Sequence, residues 1–109
     1  MMNYADKLKD PRWQKKRLKI MERANWECEC CGNANKTLHI HHNHYQPGFE
    51  PWEYRDDTLY CLCEDCHIET QSLRSDLALE MAKIPPGYED EIMGCLLEIQ
   101  NKWKPKENS

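Results

Sequence analysis

At 109 residues, 39% hydrophobic and 31% charged, the chain can form one small domain with a modest core that a metal staple would help to hold. It shows neither an apolar run long enough to span a membrane nor a secretory h-region after Met1, so membrane and export classes are set aside and a cytoplasmic setting is expected. The net charge of -4 conceals a split: residues 1–26 carry eight basic and three acidic side chains, and the other 83 residues are strongly acidic.

The basic segment, residues 1–27, predicts a helix. Asp10 suits the N-cap, Pro11 the first helical position, and Trp13, Leu18, Ile20, Met21 and Ala24 form an apolar stripe running to about Asn25. Cys28–Gly32 reads as a metal knuckle in which Gly32 permits the tight return. Thr37–His42 alternates and predicts a strand, with Leu38 and Ile40 on one face and His39 and His41 on the other. Asn43–Asp57, punctuated by Pro47-Gly48 and Pro51, predicts a loop, and Thr58–Leu62 a second strand. A helix opens at Glu64 or Asp65 and runs to about Lys83 with Ile68, Leu73, Leu77 and Met81 inward. Pro85-Pro86-Gly87 breaks it, and Glu89–Trp103 predicts a last amphipathic helix within residues 85–109.

Cys28-x2-Cys31 and Cys63-x2-Cys66 are the strongest signal in the chain. Two such hooks make the tetrahedral thiolate cage of a structural Zn²⁺, and an inserted strand–loop–strand accounts for the 31 residues between them. Cys30 and Cys61 compete for the metal by position, while Cys95 reads as a core residue. Seven cysteines without an export signal argue for reduced thiols and metal binding rather than disulfides. The His41-His42 pair inside this frame, with His67 directly after Cys66, suits metal-assisted hydrolysis: neighbours on a strand point to opposite sides, so one imidazole can ligate while the other stays free.

Leu38-His39-Ile40-His41-His42, followed by Leu59-Tyr60-Cys61-Leu62-Cys63-Glu64-Asp65-Cys66-His67, resembles the four-cysteine, zinc-containing branch of the HNH endonucleases over about residues 4–75. The resemblance implies a ββα-metal unit within the zinc-stapled core at 28–84; with the N-terminal helix before it and the C-terminal helix, which lies outside the match, the chain is expected to be a single α+β HNH-type domain, 1–109. It implies His41 and His67 as ligands to a catalytic divalent metal such as Mg²⁺, Mn²⁺ or Ni²⁺, and His42 as the general base. The family's middle asparagine falls on Thr58, beside Asp57, and a further ligand position falls on Gln71. The expected activity is hydrolysis of phosphodiester bonds in DNA, with RNA left open, leaving 5′-phosphate and 3′-hydroxyl ends. The protein would act as a monomer or homodimer, or within a phage packaging or restriction assembly.

Lys15, Lys16, Lys19, Arg23 and Arg55 are the candidate DNA phosphate contacts. Tyr45, Phe49, Trp52 and Tyr54 crowd one loop and are expected to pin it as a small satellite core rather than to stack on bases. The rival reading is a non-catalytic zinc module that binds nucleic acid or a partner protein, for which Thr58 and Gln71 are the supporting departures.

Overall fold

A computed structural model of the chain describes residues 3–103. It has a short α1 (Tyr4–Leu8), the basic α2 (Pro11–Arg23), strands β1 (Leu38–His42) and β2 (Leu59–Cys63), and two long helices, α3 (Glu64–Ala82) and α4 (Glu89–Lys102). The loop between the strands contains two short 3-10 turns, Pro51–Glu53 and Asp56–Thr58. The fold is α+β. The strands pair antiparallel, with His41 opposite Tyr60 and His42 opposite Leu59.

The start of α2 follows the expected chemistry. The Asp10 side chain accepts from the Arg12 amide, with Pro11 in the first turn. Its end is a Schellman turn: the Trp26 N–H reaches the Met21 carbonyl and the Asn25 N–H the Glu22 carbonyl, both at 3.0 Å. Asn25 and Trp26 sit at φ 56° and 57°. This left-handed exit turns the chain from α2 straight into the Cys28 knuckle. Gly32, at φ 80°, closes the knuckle as the sequence predicts.

The core lies between α2 and the sheet. Ile20, Met21, Ala24, Tyr54, Leu59 and Cys61 form one buried cluster with Leu38 and Ile40 packed against it. Each large apolar side chain buried there contributes roughly 1.5–3 kcal/mol. Arg23 ties the same elements together: it forks onto Glu29 at 2.7 and 3.2 Å and donates to the Asp56 and Leu59 carbonyls at 2.8 and 2.6 Å.

The long helices correct the sequence reading. Ile68, Leu73, Leu77 and Met81 were expected inward, yet they are 47–58% exposed, and α3 has no buried residue among those described. Its apolar positions, with Leu79 added, are spread around the helix rather than gathered in one stripe, so they define no face to bury. Ala82 and Ile84 then lead through Pro85-Pro86-Gly87 into α4, which returns toward the sheet and touches it through Trp103, edge-on to Tyr60 at 5.3 Å. None of the described helices is long and apolar enough to cross a membrane.

Candidate metal centre

The knuckle and the start of α3 bring Cys28, Cys31, Cys63 and Cys66 together, with all four sulfurs within 4.8 Å of one another. Zinc–sulfur bonds of about 2.3 Å at tetrahedral angles put sulfurs about 3.8 Å apart, and Cys31 Sγ to Cys63 Sγ is 3.8 Å. Burial works against a charged Cys28 thiolate, but amides from Cys31, Cys63 and Cys30 outweigh it and bring the thiol down to about 6. The Cys30 and Cys31 amides both reach Cys28 Sγ at 3.4 Å. The cluster is fit to hold Zn²⁺. The competitors are settled by geometry: Cys30 is exposed and outside the cluster. Cys61 points into the core against Met21 Sδ at 3.4 Å, and burial pushes its thiol up to about 11. Cys95, expected in the core, is exposed on α4, because that helix packs too little to bury it.

The histidines divide between the two faces of β1. His41 points toward α3, where its Nδ1 lies 3.0 Å from Nδ1 of His67 and the two rings meet edge-on. His39, two residues earlier on the same face, stacks on His67 at 5.6 Å. His41 is 4% exposed, and its Nε2 is buried with no hydrogen-bond partner among the described residues. Burial first, then the His67 and Arg74 charges, lowers the His41 pKa, with the Asn43 side chain acting in the opposite sense. Burial, and secondarily His39, lowers that of His67. Two neutral imidazoles whose Nδ1 atoms lie at this separation fit one divalent cation with bonds of about 2.1 Å.

His42 points the other way. It stacks between Trp13 at 5.2 Å and Tyr45 at 5.6 Å, and Tyr54 meets it edge-on at 4.9 Å. Its Nε2 lies 3.3 Å from the Pro51 carbonyl. A cavity of about 70 Å³ adjoins it, walled by Tyr4, Lys7, Phe49 and Pro51 among others. Thr58 closes the loop from its far end: its hydroxyl donates to the Arg55 carbonyl at 2.8 Å and its own carbonyl accepts from Asn43 at 3.0 Å. The backbone group that meets His42 is thus Pro51's. Gln71 lies one turn beyond His67 with its side chain exposed.

Of the candidate phosphate contacts, Lys16 and Lys19 both grip Asp56, at 2.6 and 2.7 Å. Arg55 pairs with Asp57 at 2.7 Å, and Arg23 is the internal strut already described. Lys15 is exposed. The loop aromatics split. Tyr54 is buried with its hydroxyl accepting from Gln46, and Trp52 lies beneath Arg12 at 4.1 Å, whereas Tyr45 and Phe49 are 66% and 42% exposed.

Sequence reasoning passed over Asn43 and Arg74, which line a cleft beside the histidines. The signal for Arg74 was its spacing, seven residues and two turns after His67 on the same helix face. No protein-family model, curated protein or solved structure matches this chain.

Proposed function

We propose that the protein is a zinc-stapled, divalent-metal-dependent endonuclease of the HNH type that hydrolyses phosphodiester bonds in DNA. The observation that carries this reading is the meeting of His41 and His67 at 3.0 Å, one residue along the chain from the four-thiol cluster. Held by His41 and His67, a cation such as Mg²⁺, Mn²⁺ or Ni²⁺ would supply charge stabilisation at the scissile phosphate and the leaving 3′-oxygen. The remaining work belongs to the chain. A carbonyl only accepts, so the His42–Pro51 contact fixes the proton on Nε2 and leaves Nδ1 as the basic nitrogen. Burial lowers the His42 pKa, so the ring is neutral at pH 7 and able to take a proton from water. The cavity beside it is large enough for a water molecule. Lys15 and the paired Lys16 and Lys19 give α2 a cationic flank for the backbone.

One observation favours a second reading, a non-catalytic zinc module that binds nucleic acid or protein. His42 is only 6% exposed and packed among aromatic rings, as a core residue would be. Supercoiled-plasmid cleavage over a panel of divalent metals, with zinc content measured in each sample, separates the two. The endonuclease reading expects metal-dependent cutting that falls about 10²- to 10⁴-fold in His42→Ala. Intact plasmid with zinc-replete, folded wild type would establish the binding module instead.

A further inference from the structure

Between the strand–helix core and α4 lies a cleft of about 570 Å³, the size of a site for one small ligand or one nucleotide. Its two walls differ in chemistry. On the core side stand Asn43, Arg55, Asp57, Thr58, Tyr60 and Arg74. Arg55 and Asp57 hold each other at 2.7 Å and cancel, whereas Arg74 makes neither a hydrogen bond nor an ion pair among the described residues. The cleft therefore presents one uncommitted guanidinium, on the helix face that also carries His67. The opposite wall, from α4 and the residue that follows it, is mainly apolar and aromatic: Leu96, Ile99 and Trp103, with the Gln100 amide beside them. Trp103 meets Tyr60 edge-on and has the Arg23 guanidinium 5.7 Å from its ring centroid, and it is still 41% exposed, which leaves ring surface to receive a flat partner.

A guanidinium and an aromatic and aliphatic wall lining one cleft match the two halves of a nucleotide, its phosphate and its base. A duplex offers phosphates but no free base face, so the apolar wall would have no counterpart there. We propose that this cleft binds an unstacked nucleotide of a single-stranded nucleic acid, with a backbone phosphate on Arg74 and the base against Trp103 and Ile99. The inference rests on the phosphodiester reading above for its substrate class, and it brings a strand to the His41–His67 side of the sheet through Asn43 and Arg74.

Binding of a fluorescein-labelled oligothymidylate and of a duplex of equal length, by anisotropy, tests it with zinc retained and no other divalent ion added. The wild type is expected to prefer the single strand. Arg74→Gln and Trp103→Leu should each weaken that binding at least about fivefold, with Arg74→Lys recovering part of the loss and duplex binding unmoved. Ile99→Ser gives a second probe of the apolar wall should Trp103→Leu lose zinc or helicity. No preference for the single strand, or folded Arg74→Gln and wall variants that bind as the wild type does, overturns the proposal. Plasmid cleavage in the same preparations keeps the two readings apart. Single-strand binding that depends on Arg74 without any cutting leaves the cleft standing and removes the endonuclease. Cutting with unaltered binding in the variants does the reverse.

Discussion

Nδ1 of His41 and Nδ1 of His67 face each other at 3.0 Å across the junction of β1 and α3, although 26 residues separate them in the chain. Both side chains are buried or half-buried and both pKa values are lowered from 6.5, so both rings are neutral at pH 7 and each has one nitrogen lone pair to offer a cation. Mn²⁺ added to the zinc-loaded protein is expected to broaden the imidazole signals of both residues. His67→Ala should abolish the broadening at His41 while zinc content stays unchanged. Broadening confined to exposed carboxylates would dismiss the pair as a cation site.

Zinc content should follow the cluster rather than the cysteine count. One zinc per chain is expected, retained in Cys30→Ser and Cys95→Ser and lost with folding in Cys63→Ser, because metal binding and folding are one equilibrium in such small sites. Metal analysis with circular dichroism of each variant decides it. Zinc lost from Cys30→Ser alone would redraw the ligand set.

Arg23 was expected to meet DNA, and its surroundings give it a structural task instead. The Glu29 side chain is 5% exposed and also accepts from the Cys61 amide, so removing the guanidinium leaves a buried carboxylate without its counter-charge. Arg23→Ala is expected to cost about 3 kcal/mol in chemical denaturation. Lys15→Ala, by contrast, should leave stability unchanged and reduce the salt dependence of DNA binding by about one counterion.

Asp56 is held below the ordinary carboxylate range by Lys16 and Lys19. A depressed carboxyl pKa stabilises the fold above the unfolded value and loses that stabilisation as pH falls through the folded one. The wild type should therefore exceed Asp56→Asn by about 1 kcal/mol at neutral pH, since the pair is partly solvated. That gap should close as pH falls below 3.8, the ordinary value for an aspartate carboxyl. Denaturation of both proteins in excess zinc across this range checks the sign. A gap that widens on acidification contradicts the assignment.

Leu59 is fully buried and Leu77 is 57% exposed. Leu59→Ala is expected to cost about 2–5 kcal/mol, while Leu77→Ala should stay within about 0.5 kcal/mol. A core-sized cost at Leu77 would mean that α3 is covered in solution, and sedimentation of the wild type would then show the second copy.

What the sequence made legible was whatever local chemistry decides. Asp10-Pro11 set the start of α2, alternation at Leu38–His42 set β1, and two cysteine pairs at fixed spacing located the cluster. Burial of the long helices was not legible, because hydrophobic content in α3 and α4 says nothing of whether another layer exists to cover it. The role of Arg23 was hidden for the same reason: a cation on a basic helix looks solvated until a carboxylate and two carbonyls converge on it from distant segments. The opposed directions of His41 and His42 followed from strand geometry, but the aromatic enclosure of His42 depends on how the loop at 43–57 folds back, which no short-range pattern encodes.

Cys66 and His67 are consecutive in the first turn of α3. The residue that completes the thiol cluster and the residue that faces His41 therefore cannot move separately. Loosening the cluster would free that turn from β1 and let the imidazoles part. Chelation strong enough to strip zinc would thus part the histidine pair without touching it, and, on the proposed reading, supply of one metal would govern use of the other.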